Sequence, residues 1–131
     1  MPRISAETME KMSAGKRAAV EVPDIVRTLR ERGDSRARRQ PADVLDREVR
    51  ATLAACDRLE LESDADRMTL CLLEITTFAG MRDLPRLRGL IHYAGGRPEA
   101  RMSALFLAMP PTLWRQLRAE ASAICIARGF K

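Results

Sequence analysis

Apolar residues recur along this chain at helical rather than strand spacing, most clearly over residues 41–61. At 100° per residue, Val44, Leu45, Val49, Thr52, Leu53, Ala55, Cys56 and Leu59 fall within one half-turn. Asp43, Asp46, Arg47, Arg50, Asp57 and Arg58 collect on the other side. Pro41 opens this amphipathic helix. Asp43–Arg47 and Asp46–Arg50 stand four residues apart with the acid first. Each such pair supports a helix by about 0.2–0.5 kcal/mol, so they read as helix support rather than a site.

Residues 63–79 differ. Ser63 and Asp64 supply a cap. Met68, Cys71, Leu72, Ile75, Phe78 and Ala79 form one face, and Leu70 and Leu73 a second. Only Asp66, Arg67 and Glu74 are charged. A helix apolar on most sides is covered on most sides, so this segment is the expected central helix or an oligomer face. Gly80 ends it.

The remaining patterns are shorter. Pro23 starts a helix with Ile25, Val26 and Leu29 on one side and Gly33 at its end. A polar connector follows over 34–40. Asp83 caps a helix with Pro85 near its start, Leu87, Leu90, Ile91 and Ala94 inward, and Gly95-Gly96 as its stop. Pro98 begins another, with Met102, Leu105, Phe106 and Met109, ended by Pro110-Pro111. Thr112 caps the last, with Leu113, Leu117, Ala121 and Ile124 as its stripe and Gly129 closing it. The expected fold is all-α: a compact bundle of about five to six helices with short connections. Residues 23–131 form a single helical domain. Residues 1–22, short of large apolar residues, form a loose basic N-terminal arm, flexible or partly helical.

Composition agrees with helix packing. The 131 residues are 46% hydrophobic and only 4% aromatic, so Leu, Ala, Val, Ile and Met must build the core. The longest apolar run, 104–111, is far short of a membrane span, and residues 1–22 lack the apolar stretch of a signal peptide. A cytoplasmic protein is the expectation. Cys56, Cys71 and Cys125 show no paired or metal-ligand spacing and read as small buried hydrophobes in a reducing compartment.

Charge adds a partner question. The net charge is +5, twenty of the 23 basic residues are Arg, and the balance is +4 over 1–39, −5 over 40–75 and +6 over 76–131. A bias toward Arg and Ala codons explains much of the Arg excess, but an acidic middle between basic flanks suits docking or antiparallel self-association. Arg27, Arg30, Arg32, Arg36, Arg38 and Arg39 form the densest basic segment, a candidate grip on phosphates with help from Arg115 and Arg118. It has no interleaved aromatics for base stacking. A helix-turn-helix around Gly96 fits badly, because His92 stands where a small residue is needed and the second helix is mostly apolar.

Catalytic chemistry is poorly supplied. There is one His, His92, and one Tyr, Tyr93. No GxSxG, HExxH, Walker or dinucleotide pattern occurs, and Gly95-Gly96-Arg97 follows a helix rather than a strand. The acidic series Asp57, Glu60, Glu62, Asp64 and Asp66 lacks the loop glycine of a calcium site and reads as a solvated face. No catalytic, metal or cofactor site is expected. The chain reads first as a non-catalytic protein-interaction module: a small regulator, inhibitor, adaptor or chaperone-like protein, and a possible homodimer. Trp114, Ile126 and Phe130 are its candidate partner contacts. A nucleic-acid-binding protein is the alternative.

Overall fold

A computed structural model describes residues 6–32, 35–76 and 78–128, with side chains except at 6–16, 18, 35 and 36. Among them the chain forms α1 (Ala6–Arg32), α2 (Ser35–Arg39), α3 (Ala42–Arg58) and α4 (Asp64–Ile75). A 3-10 turn (Met81–Asp83) follows, then α5 (Leu87–Ala94), α6 (Arg101–Ala108) and α7 (Pro111–Ala127), with no strand. The fold is all-α, as the apolar spacing dictates. No helix among the described residues is long and apolar enough to cross a membrane.

The core has two parts, and α4 separates them. Val22, Ile25 and Leu29 of α1 meet Leu45, Val49 and Leu53 of α3 on one side, joined by Cys71 and Ile75 of α4. On the other side Leu70 of α4 joins Leu61, Phe78, Met81, Leu87, Ile91, Met102, Leu105 and Leu117. The helix therefore packs against α1, α3, α6 and the 3-10 turn. The second part carries the aromatic residues. Trp114 lies between Phe78 and Phe106, at ring-centroid distances of 4.9 and 5.2 Å.

Several element boundaries depart from expectation. Pro23 does not start a helix; it lies inside α1, which carries the expected arm into the bundle. An interior proline ordinarily costs about 3 kcal/mol or more. Here its ring is exposed, while Val22 and Ile25 on either side are buried and hold the helix in register. The connector over 34–40 contains α2, because Ala37 is fully buried and Arg30 of α1 donates to the carbonyls of Arg38 and Gln40, both at 2.8 Å.

The helix over 41–61 stops earlier, at Arg58, without a glycine. Glu60 takes the left-handed conformation at φ 60°, and the N–H of Leu61 reaches the carbonyl of Cys56 at 2.9 Å. This is a Schellman-type end, fixed by the burial of Leu61. Asp83 and Thr112 cap no helix: Asp83 lies in the 3-10 turn, and Pro110 precedes α7 with Pro111 at its first position. α6 starts at Arg101 rather than Pro98. Gly33 and Gly129, expected as helix ends, lie outside the described residues.

Gly80 shows how closely α7 is seated. Its φ is +95°, and a Cβ added there would stand 2.2 Å from the carbonyl oxygen of Ala121. Gly80→Ala is expected to lose about 1–3 kcal/mol through strain and displacement of α7. Gly89, inside α5 with open space around it, should behave oppositely: Gly89→Ala gains about 0.5–1 kcal/mol. Urea midpoints of the two variants, shifted in opposite directions from the parent, check both.

Candidate functional site

The three charges of α4 are all buried: Asp66 is 2% exposed, Arg67 4% and Glu74 4%. A buried charge is tolerated only when paired and hydrogen-bonded, so each must find partners inside the molecule. Asp66 finds them at the start of α6. Its two carboxylate oxygens accept from the backbone N–H groups of Arg101 and Met102, each at 3.0 Å. Ala100 offers α6 no side-chain cap, so α4 supplies the anion that the helix N-terminus favours. Asp66 is thus not part of a solvated acidic face.

Arg67 clasps α1. Its Nε and Nη2 donate to the two carboxylate oxygens of Glu21 at 2.7 and 2.9 Å, a fork-to-fork pair. Its Nη1 donates to Asp57 at 2.6 Å and to the carbonyl of Leu61 at 3.2 Å. Burial alone would lower the Arg67 pKa, but Glu21 and Asp57 outweigh it and raise it, so the guanidinium stays charged.

Glu74 belongs to a larger network. It accepts from the backbone N–H of Arg82 and from Nη1 of Arg128, each at 3.2 Å. Arg82 Nη1 donates onward to the carboxylate of Glu48 at 2.7 Å and to Thr52 at 2.9 Å. Arg128 Nη2 stands 2.6 Å from Asp83. That contact is an ion pair with poor hydrogen-bond alignment, and the buried Nε of Arg128 has no acceptor among the described residues. Burial works to lower the Arg128 pKa, and Glu74 and Asp83 reverse this and raise it.

This network forms one wall of a cleft of about 480 Å³ between α3, the end of α4 and α7. Val44, Leu45, Ile75, Phe78, Ala121 and Ile126 supply apolar lining; Gln40, Glu48, Glu74, Arg118, Ser122 and Arg128 supply polar groups. Ile126 is 70% exposed at its rim. The carboxylates in the wall are engaged by Arg82 and Arg128, which leaves them poorly placed as general bases. Cys125 also lines the cleft, and burial pushes its pKa up against the opposing charge of Arg128. It is therefore mostly thiol, the weaker nucleophile, at neutral pH. Among the described residues no group of His, Cys, Asp or Glu is placed to hold a metal.

The structure brings one of the expected partner contacts, Ile126, to this cleft. Trp114 is instead half-buried between two phenylalanines and acts as core. Phe130 lies outside the described residues. The basic segment is divided. Arg27 pairs with Asp24, Arg30 braces the α1–α2 corner, and Arg38 donates to the carbonyl of Glu31 at 3.4 Å. Arg32 and Arg39 are exposed, and the side chain of Arg36 lies outside the described residues. A helix-turn-helix gains no support: the α5–α6 loop spans 95–100, longer than the usual three or four residues, and α6 shows Ser103, Leu107 and Ala108 to solvent. The apolar surface of α4, which suggested an oligomer face, is spent within the chain.

Glu48, Arg82 and Arg128 were not legible as site residues. The available signal was three lone charges on an otherwise apolar helix, each of which needed a partner elsewhere. No protein-family model, curated protein or solved structure matches this chain.

Arg67→Ala should lose about 3–5 kcal/mol, because it strands the Glu21 carboxylate in the interior. Chemical denaturation checks this, and Glu21→Ala combined with Arg67→Ala should cost less than the two single losses added. The thiols give a second test. Burial pushes Cys56 up to about 12, against the opposing charge of Arg67, and raises Cys71 further. Iodoacetamide at pH 8 should therefore modify Cys125 alone in the folded protein and all three cysteines after unfolding. The Cys125 rate should keep rising with pH beyond the point where an ordinary thiol levels off, since its thiolate forms later. Mass spectrometry of the digested protein reads both.

Proposed function

We propose that this chain is a non-catalytic protein-interaction module, a small regulator, inhibitor, adaptor or chaperone-like protein, that meets its partner at the cleft beside α7. The observation carrying this reading is the uncovered apolar lining of that cleft, with Ile126 standing 70% exposed at its rim. An apolar surface left open on an otherwise well-packed bundle is a common mark of an interaction site. The engaged carboxylates and the protonated Cys125 favour binding over catalysis. The three free thiols suit a reducing compartment such as the cytoplasm.

A second reading keeps nucleic acid as the partner, through the exposed Arg32 and Arg39 at the α1–α2 corner. One experiment separates the two. A photo-crosslinking residue is placed at Ile126 in one variant and at Arg32 in another, and each is irradiated in cells of the source organism. The interaction reading expects discrete protein adducts from position 126 and few from position 32. Absence of adducts at 126 overturns it, and nucleic-acid adducts at 32 put the second reading in its place.

A further inference from the structure

We infer that the cleft receives an acidic amphipathic segment of another protein, with apolar side chains seated between α3 and α7 and carboxylates against the arginines of α7. This rests on the interaction reading above and adds the chemistry of the partner.

Charge is the first support. The acids of the cleft are used internally: Glu74 by Arg82 and Arg128, and Glu48 by Arg82. α7 and the residue that follows it carry Arg115, Arg118 and Arg128 against Glu120 alone. Glu120 is itself paired with Arg86 at 2.9 Å. The flank offered to a visitor is therefore positive, beside an apolar floor of Val44, Ile75, Phe78 and Ile126. Complementary charge guides such a partner in and rejects basic ones. A second copy is disfavoured on the same ground, since two α7 faces would bring arginines together.

Shape and an orphaned donor give the second support. Arg118 and Arg128 both line the cleft and stand ten residues apart, about 15 Å along a helix axis. That makes a trough for two or three turns of helix or a short extended stretch, the form of helix-in-groove recognition. At its Arg128 end, the buried Nε–H lacks an acceptor. Such groups call for a missing partner, and carbonyl or carboxylate oxygens of an incoming segment are acceptors of the right kind.

The test uses a displayed library of random twelve-residue peptides, panned against the full-length protein. The inference expects enriched peptides that combine large apolar residues with Asp or Glu. By fluorescence anisotropy, Ile126→Glu and Arg118→Glu should each weaken their binding at least tenfold, with Arg118→Gln as the milder check should the charge reversal disturb folding. Arg32→Glu, outside the cleft, should leave binding unchanged. Bound peptide should slow alkylation of Cys125. Circular dichroism confirms that each variant is folded. Enrichment of basic or uncharged peptides, binding that ignores Ile126 and Arg118, or no enrichment at all overturns the inference. So does protection of Cys125 by a fatty acid but by no peptide. If adducts still form from position 126 in cells, the interaction reading survives and only the acidic-segment chemistry falls.

Discussion

The burial of α4 between two apolar cores is the constraint on which the rest of the structure depends. Leu70 faces one core; Cys71 and Ile75 face the other. Helix α4 is only twelve residues long, yet it touches α1, α3, α6 and the 3-10 turn. Burial of apolar area on both sides, at roughly 25 cal/mol per Å², is the main term that holds these elements together. Its consequence is that a charge on α4 has almost no route to water.

Each charge on the helix therefore became a link to a different part of the chain. Asp66 caps α6, Arg67 locks α1, and Glu74 gathers the 3-10 turn and the residue after α7. Such pairs add little net stability over apolar replacements, because desolvation consumes most of the attraction. What they add is register. An apolar helix face can slide or rotate against its neighbours, whereas a fork between Arg67 and Glu21 fixes one alignment. The same holds for Asp66, whose two oxygens meet two consecutive N–H groups and so set where α6 begins.

The helical fold was legible because amphipathic spacing reports burial directly. The 41–61 pattern yields α3, and the nearly all-apolar 63–79 segment yields the central α4. Boundaries were less legible where a tertiary contact overrides a local signal. Pro23 is a start signal by itself, but the burial of Val22 and Ile25 carries α1 past it. Glu60 takes a conformation that favours glycine because Leu61 gains a place in the core. The candidate site was hidden for a related reason. Its wall joins Glu48, Glu74, Arg82 and Arg128, residues spread over eighty positions, and no spacing rule links them. Ile126 alone was visible, as an apolar residue on the polar side of its helix. The Arg-rich segment was visible too, yet part of its charge serves the α1–α2 corner.

The cleft persists because α7 is held at its edges. Gly80 meets the backbone of Ala121 with no room to spare, and Trp114 is gripped by Phe78 and Phe106. Arg128 anchors the far end to Glu74 and Asp83. These contacts set the distance of α7 from α3. Closing the gap would require the glycine contact to give way and the charged wall to be buried deeper, both unfavourable. A rigid bundle with one apolar trough propped open loses some burial of its own surface. It also presents that trough already formed, which spares a partner the cost of opening it. The same ion pairs that align α4 inside the molecule thus brace the one surface it leaves for another.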